Sequence, residues 1–141
     1  MKRFEFPLAR VLAFRRAQRD LERGRMEESF AHVRKVDDLA AEVRREREAT
    51  EADVRSTPMD GTQFTALGAY TAYLKRSSEE VQRHRRRAEA VAEEHRLRVV
   101  EAERRVRMIE KLEAKARGKW QAAADRELEE FAAEAYLSRW K

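Results

Sequence analysis

A single interruption divides this sequence into two long stretches that hold very little able to turn a chain. The interruption is Ser56-Thr57-Pro58-Met59-Asp60-Gly61-Thr62. Pro58 lacks the N–H that a helix interior needs, and its ring pushes Thr57 away from helical geometry. Asp60 followed by Gln63 has the spacing of a capping box, so a new helix is predicted to begin near Gly61. The other proline, Pro7, stands where a first helical turn tolerates it. With 4 Gly and 2 Pro in 141 residues, the chain is predicted to be all-α, a long antiparallel two-helix coiled coil forming one domain over residues 1–141. Helix one is expected over about 7–56, a tip turn with a short helix over about 57–69, and helix two over about 70–138.

Apolar spacing supplies the seam that would hold two such helices together. In helix one, Met26, Val33, Ala40 and Val54 share one heptad position, with Val36, Val43 and Thr50 at the other. Phe30 widens this stripe, and Arg47 interrupts it as a polar position that can fix register. Upstream, Leu8, Val11 and Leu12 keep helical spacing, but Arg15, Gln18 and Arg19 thin the stripe, so looser packing is expected there. In helix two, Leu74, Val81, Ala88, Val91, His95, Ala102, Ile109 and Ala116 trace a seam, joined by Val99, Val106 and Trp120. Gly68 and Gly118 are its expected weak points, each costing about 1 kcal/mol relative to alanine.

Helices joined by a short turn fold back on each other, and both rise equally. Facing residues should therefore have numbers adding to roughly 120–126. Helix one runs out first, leaving roughly 20 residues of helix two, about 30 Å, without an intramolecular partner. That overhang is expected to carry Trp120, Leu128, Phe131, Tyr136, Leu137 and Trp140. Either these large apolar side chains bury against another molecule, with the segment's arginines pairing to acidic residues of the partner, or the last turns fray.

Composition narrows the function classes. Charged residues make up 42% of the chain, against roughly 25% in an ordinary globular protein, which suits a narrow seam and wide solvated faces. High charge also favours disorder, but the helical recurrence of apolar residues argues against it. The formal charge of +5 comes from finely interleaved acids and bases, suited to i,i+4 pairing along a helix. There is no cysteine, hence no disulfide framework or thiolate metal site. Glu5 and Arg10 break up the opening residues, which lack the pattern of a signal peptide. No stretch approaches the ~18 apolar residues of a membrane span, so a soluble chain is expected. His32, His84 and His95 lack metal-site spacing, the glycines are isolated, and carboxylates on solvated faces have nothing to separate their pKa values. No enzyme, metal or cofactor is expected. Residues 83–87 form the densest basic run, but their side chains radiate round the helix without interleaved aromatics, which argues against nucleic acid.

The N-terminal pattern Phe4-x-Phe6-x-Leu8-x-x-Val11-Leu12-x-x-Arg15 resembles the start of the flagellar export protein FliJ family. Tyr70-x-x-Tyr73-Leu74 is similar to that family's entry into its second long helix, and Ile109-Glu110-Lys111-Leu112 to its Leu-Glu-Lys-Leu run. Arg126-Glu127-Leu128-Glu129-Glu130-Phe131-Ala132 resembles its C-terminal stretch, with Glu129 in place of the usual Asp. The order and spacing of these segments cover the whole chain.

The resemblance implies a non-enzymatic, cytoplasmic component of the flagellar type III export apparatus, peripheral at the inner face of the membrane at the flagellar base, serving motility. It implies an antiparallel coiled coil similar to the stalk of rotary ATPases, binding the hexameric export ATPase FliI, the export-gate protein FlhA and export chaperones. ATPase contacts would fall on Phe4, Phe6, Leu8, Leu12, Trp120, Leu128, Phe131 and Trp140. Gate contacts would fall on Leu39, Val43, Glu46 and Thr50 of helix one and Tyr73, Ser77, Glu80 and His84 of helix two. Glu46 and Thr50 stand where the family can carry aromatics, and Ser77 replaces an apolar residue. Two alternatives remain open: the stalk of a virulence-type secretion system, and a purely structural coiled coil.

Overall fold

The computed structural model describes residues 2–140 of the chain. Helix α1 (Ala9–Ser56) holds 48 residues and helix α2 (Gly61–Ser138) holds 78, with no strand among the described residues. The two helices pack against each other as a hairpin, in agreement with the all-α expectation. By contact the chain divides into two compact units, one joining Met1–Leu21 with Val99–Lys141 and the other formed by Glu22–Arg98.

The Glu22–Arg98 unit contains the tip. Thr57 N–H donates to the Asp53 carbonyl at 3.0 Å, closing α1. Asp60 and Gln63 then form the reciprocal box that their spacing predicts. Gln63 N–H donates to Asp60 Oδ1 at 2.8 Å, and Asp60 N–H donates to Gln63 Oε1 at 3.1 Å. From there α2 runs without a break. This corrects the expected tip turn with a short helix over about 57–69 and a second helix starting near residue 70. One helical glycine costs only about 1 kcal/mol, while Phe64, Leu67, Thr71 and Leu74 hold a three-four spacing straight across it.

Leu74, Ala88, Ala92 and Val36 are buried in this unit. Met26, Val33, Ala40, Val43 and Thr50 line the same seam half-buried. One position was misassigned by sequence: Val91 is 48% exposed, whereas Ala92 is only 2% exposed. The stripe alternates steps of four and three through Ala88, Ala92, His95 and Val99, and Val91 stands about 100° round the helix from Ala92. Val54 and Phe30 are partly exposed. Arg47 is exposed too, since a long stem carries its guanidinium out to water from a position beside the seam. Cross-helix pairing is antiparallel: Arg85 Nε meets Asp37 Oδ1 at 2.8 Å, within the expected register.

The other unit pairs the start of the chain with the second half of α2. Leu12, Val99, Val106 and Ala124 are buried, and Arg16 Nη2 donates to Glu110 Oε1 at 3.1 Å, again in register. Residues 2–6 are not helical. A turn at Pro7 and Leu8 leads into α1, with Ala9 N–H donating to the Phe6 carbonyl at 3.1 Å and Leu12 N–H to that of Leu8 at 2.9 Å. Helix one thus starts two residues later than expected. The thinned stripe is present as read: Arg15, Gln18 and Arg19 occupy half-buried positions, and Arg15 donates to Gln18 Oε1 at 3.1 Å. Among the described residues, no helix is long and apolar enough to cross a membrane.

Candidate functional site

The helix-end site is built on an aromatic clasp. Phe4, carried by the non-helical start, lies 5.8 Å from Trp120 between ring centroids, tilted by 57°. Trp120 Nε1 donates to the Lys2 carbonyl at 3.1 Å, and the Arg117 guanidinium sits 5.0 Å from the centre of the Phe4 ring. An indole wedged beside another ring, with its N–H satisfied by backbone, is a structural anchor. Trp120 therefore belongs to the intramolecular packing, not to the overhang where its sequence position had put it. The extended residues 2–6 explain the difference, because they cover α2 further along than a helix starting at residue 7 would. Leu12 is buried in the seam, Phe4 and Phe6 are half-buried, and Leu8 is partly exposed. Of the eight helix-end residues, Phe4 and Trp120 meet directly at the clasp.

Beyond Ala124, the last buried residue among those described, every position from 125 to 140 is exposed. Here α2 continues alone for its last 14 residues, roughly 21 Å. Leu128, Phe131, Tyr136, Leu137 and Trp140 all stand open to solvent, Phe131 at 71% and Trp140 at 76%. Tyr136 and Trp140 approach each other at 6.1 Å between centroids, and the helix closes with Arg139 N–H on the Tyr136 carbonyl and Trp140 N–H on that of Leu137. The expected overhang is thus present and shorter than predicted. Its charge also differs from expectation. Asp125, Glu127, Glu129, Glu130 and Glu134 outnumber Arg126 and Arg139 among residues 125–140, so acidic partner residues would be repelled.

The residues expected to face the export gate all lie in the Glu22–Arg98 unit, and the structure separates them into two groups. Val43, Thr50 and Ser77 are half-buried along the seam, with the Thr50 hydroxyl donating to the Glu46 carbonyl at 2.8 Å. Leu39, Glu46, Tyr73, Glu80 and His84 are exposed. Two of these meet around a residue the site prediction omitted. Tyr70 hydroxyl donates to Glu46 Oε2 at 3.5 Å, and its ring stacks on Tyr73 at 6.2 Å. Tyr70 reaches Glu46 from about 6 Å outside the expected register, a span its long side chain covers. Loss of water around the phenol, reinforced by the Glu46 charge and hydrogen bond, raises the Tyr70 pKa above its ordinary value.

Closer to the tip, Val54, Phe64, Leu67, Gly68 and Thr71 line an open, largely apolar groove of about 440 Å³. Sequence reading missed it because Gly68 was taken for a break, although the spacing of Phe64, Leu67 and Thr71 already carries the helix across. Among the described residues, no cluster of three or more histidines or carboxylates could hold a metal ion. No protein-family model, curated protein or solved structure matches the chain.

Proposed function

We propose that this chain is a non-enzymatic component of the bacterial flagellar type III protein export apparatus, a stalk-like adaptor acting at the inner face of the membrane. In this reading its helix ends bind the hexameric export ATPase FliI. Its exposed surface nearer the tip, including Leu39, Glu46, Tyr73, Glu80 and His84, serves the gate protein FlhA and export chaperones. The observation that carries the reading is the single helix of residues 125–138, which leaves large apolar side chains exposed to solvent. A purely structural coiled coil gains nothing from such an end, since exposed aromatics invite association. A lone helix 10–12 Å across is also narrow enough to enter the central opening of a ring. The ordered resemblance of the N-terminal, second-helix and C-terminal segments to the FliJ family supports the same assignment.

The test is co-purification with the export ATPase. Full-length chain should be retained by the ATPase, and a chain ending at Ala124 should not. Ending there spares the clasp at Trp120, so loss of binding cannot be blamed on a disrupted hairpin. Retention of the shortened chain, or no retention of the full one, overturns the reading.

A further inference from the structure

The buried stripe of α2 does not stop where its covering segment stops. Trp120 and Ala124 belong to the packed part, and Leu128, Phe131 and Ala135 continue the stripe in alternating steps of four, three and four, all of them exposed. Such a continuation is half of a coiled coil, and the residues flanking the stripe decide which second half it accepts. Those flanking positions are Asp125, Glu127, Ala132, Glu134 and Arg139. Three are acidic and one is basic, and Asp125, Glu127 and Glu134 form no ion pair with another described residue.

We infer that the extension docks, apolar stripe inward, against a partner helix or groove whose apolar seam is bordered by lysine or arginine. Charge complementarity commits the partner to that chemistry. A second copy in antiparallel register would set Glu127 against Glu134, like charge opposite like charge. An acidic-rimmed groove would meet the same repulsion. A basic rim instead places a cation beside each of these three carboxylates while Leu128 and Phe131 fill the seam. The inference rests on the functional reading only in treating the extension as a binding element.

The test uses two synthetic helical peptides of about three heptads with the same leucine seam, one flanked by lysine and the other by glutamate. Each is labelled and titrated with the full chain by fluorescence anisotropy. The lysine-flanked peptide should bind at least ~10-fold more tightly, with a preference that shrinks as salt screens the flanking charges. The triple variant Asp125→Lys, Glu127→Lys, Glu134→Lys should reverse the preference, and Leu128→Ala with Phe131→Ala should abolish binding of both peptides. Equal affinity for the two peptides, no binding of the lysine-flanked one, or binding that survives truncation after Ala124 overturns the inference. Sedimentation showing self-association lost on that truncation overturns it as well, in favour of a second copy. Failure of ATPase co-purification with the peptide preference intact removes the export reading alone, so the two proposals fail separately.

Discussion

Tyr70 shows how a single contact on a solvated face can acquire a pH signature. Its hydroxyl points at Glu46, and partial loss of water, together with that carboxylate, holds its pKa above the ordinary value of a tyrosine. Because the folded-state value is the raised one, the contact contributes stability that is fully present below the unfolded pKa. That contribution is lost as pH rises through the folded value. An ultraviolet titration should therefore show a late-ionising tyrosine that disappears in Tyr70→Phe and moves earlier in Glu46→Gln, and a titration unchanged by either substitution would contradict the contact. Burial separates two other neighbouring choices. Leu74 is 2% exposed, so Leu74→Ala should cost about 2–5 kcal/mol in chemical denaturation. Val91, pointing away from the seam, should tolerate alanine within ~0.5 kcal/mol. Similar losses at the two positions would mean that the stripe is misplaced.

At the level of elements, the tip is governed by a box of two hydrogen bonds and by one glycine that does not interrupt. Asp60→Ala removes the acceptor for Gln63 N–H and should destabilise by about 1 kcal/mol. Gly68→Ala should stabilise by about the same amount, because an added Cβ there meets nothing within 4 Å. Thermal melts of the two variants should shift in opposite directions, and a destabilised Gly68→Ala would show that α2 bends at that point. Both helices, the tip at Pro58 and Asp60, the pairing register and the polar stretch at Arg15 to Arg19 were legible in the sequence, because each follows from local spacing. The path of residues 2–6 was not. Nothing local says that Phe4 will reach Trp120, since that contact spans 116 positions and depends on where α1 begins. The continuity of α2 through Gly68 was misread for the opposite reason, a local cost being given more weight than the spacing that outlasts it. At the candidate site, the exposed end was anticipated, while the Tyr70–Glu46 contact and the acidic character of residues 125–140 emerged only from geometry and a count by segment.

For the whole molecule, the distribution of burial separates what holds the chain together from what is left available. Among the described residues, all the buried side chains lie at or before Ala124, so ending the chain there should leave the melting temperature within a few degrees of the full chain. The same truncation should abolish retention by the export ATPase. A large drop in melting temperature would instead assign residues 125–140 to the fold. Net charge is likewise uneven, since a chain of formal charge +5 ends in a segment with more acids than bases. That the described residues include eight buried hydrophobic ones, three of them alanine, has a consequence for how such a chain can change over generations. Most positions need only stay compatible with a helix, and even the seam asks for a rhythm of small and apolar side chains more than for particular ones. Substitutions can therefore accumulate along the solvated faces with little penalty, until two descendants of one ancestor share a beat and almost no letters.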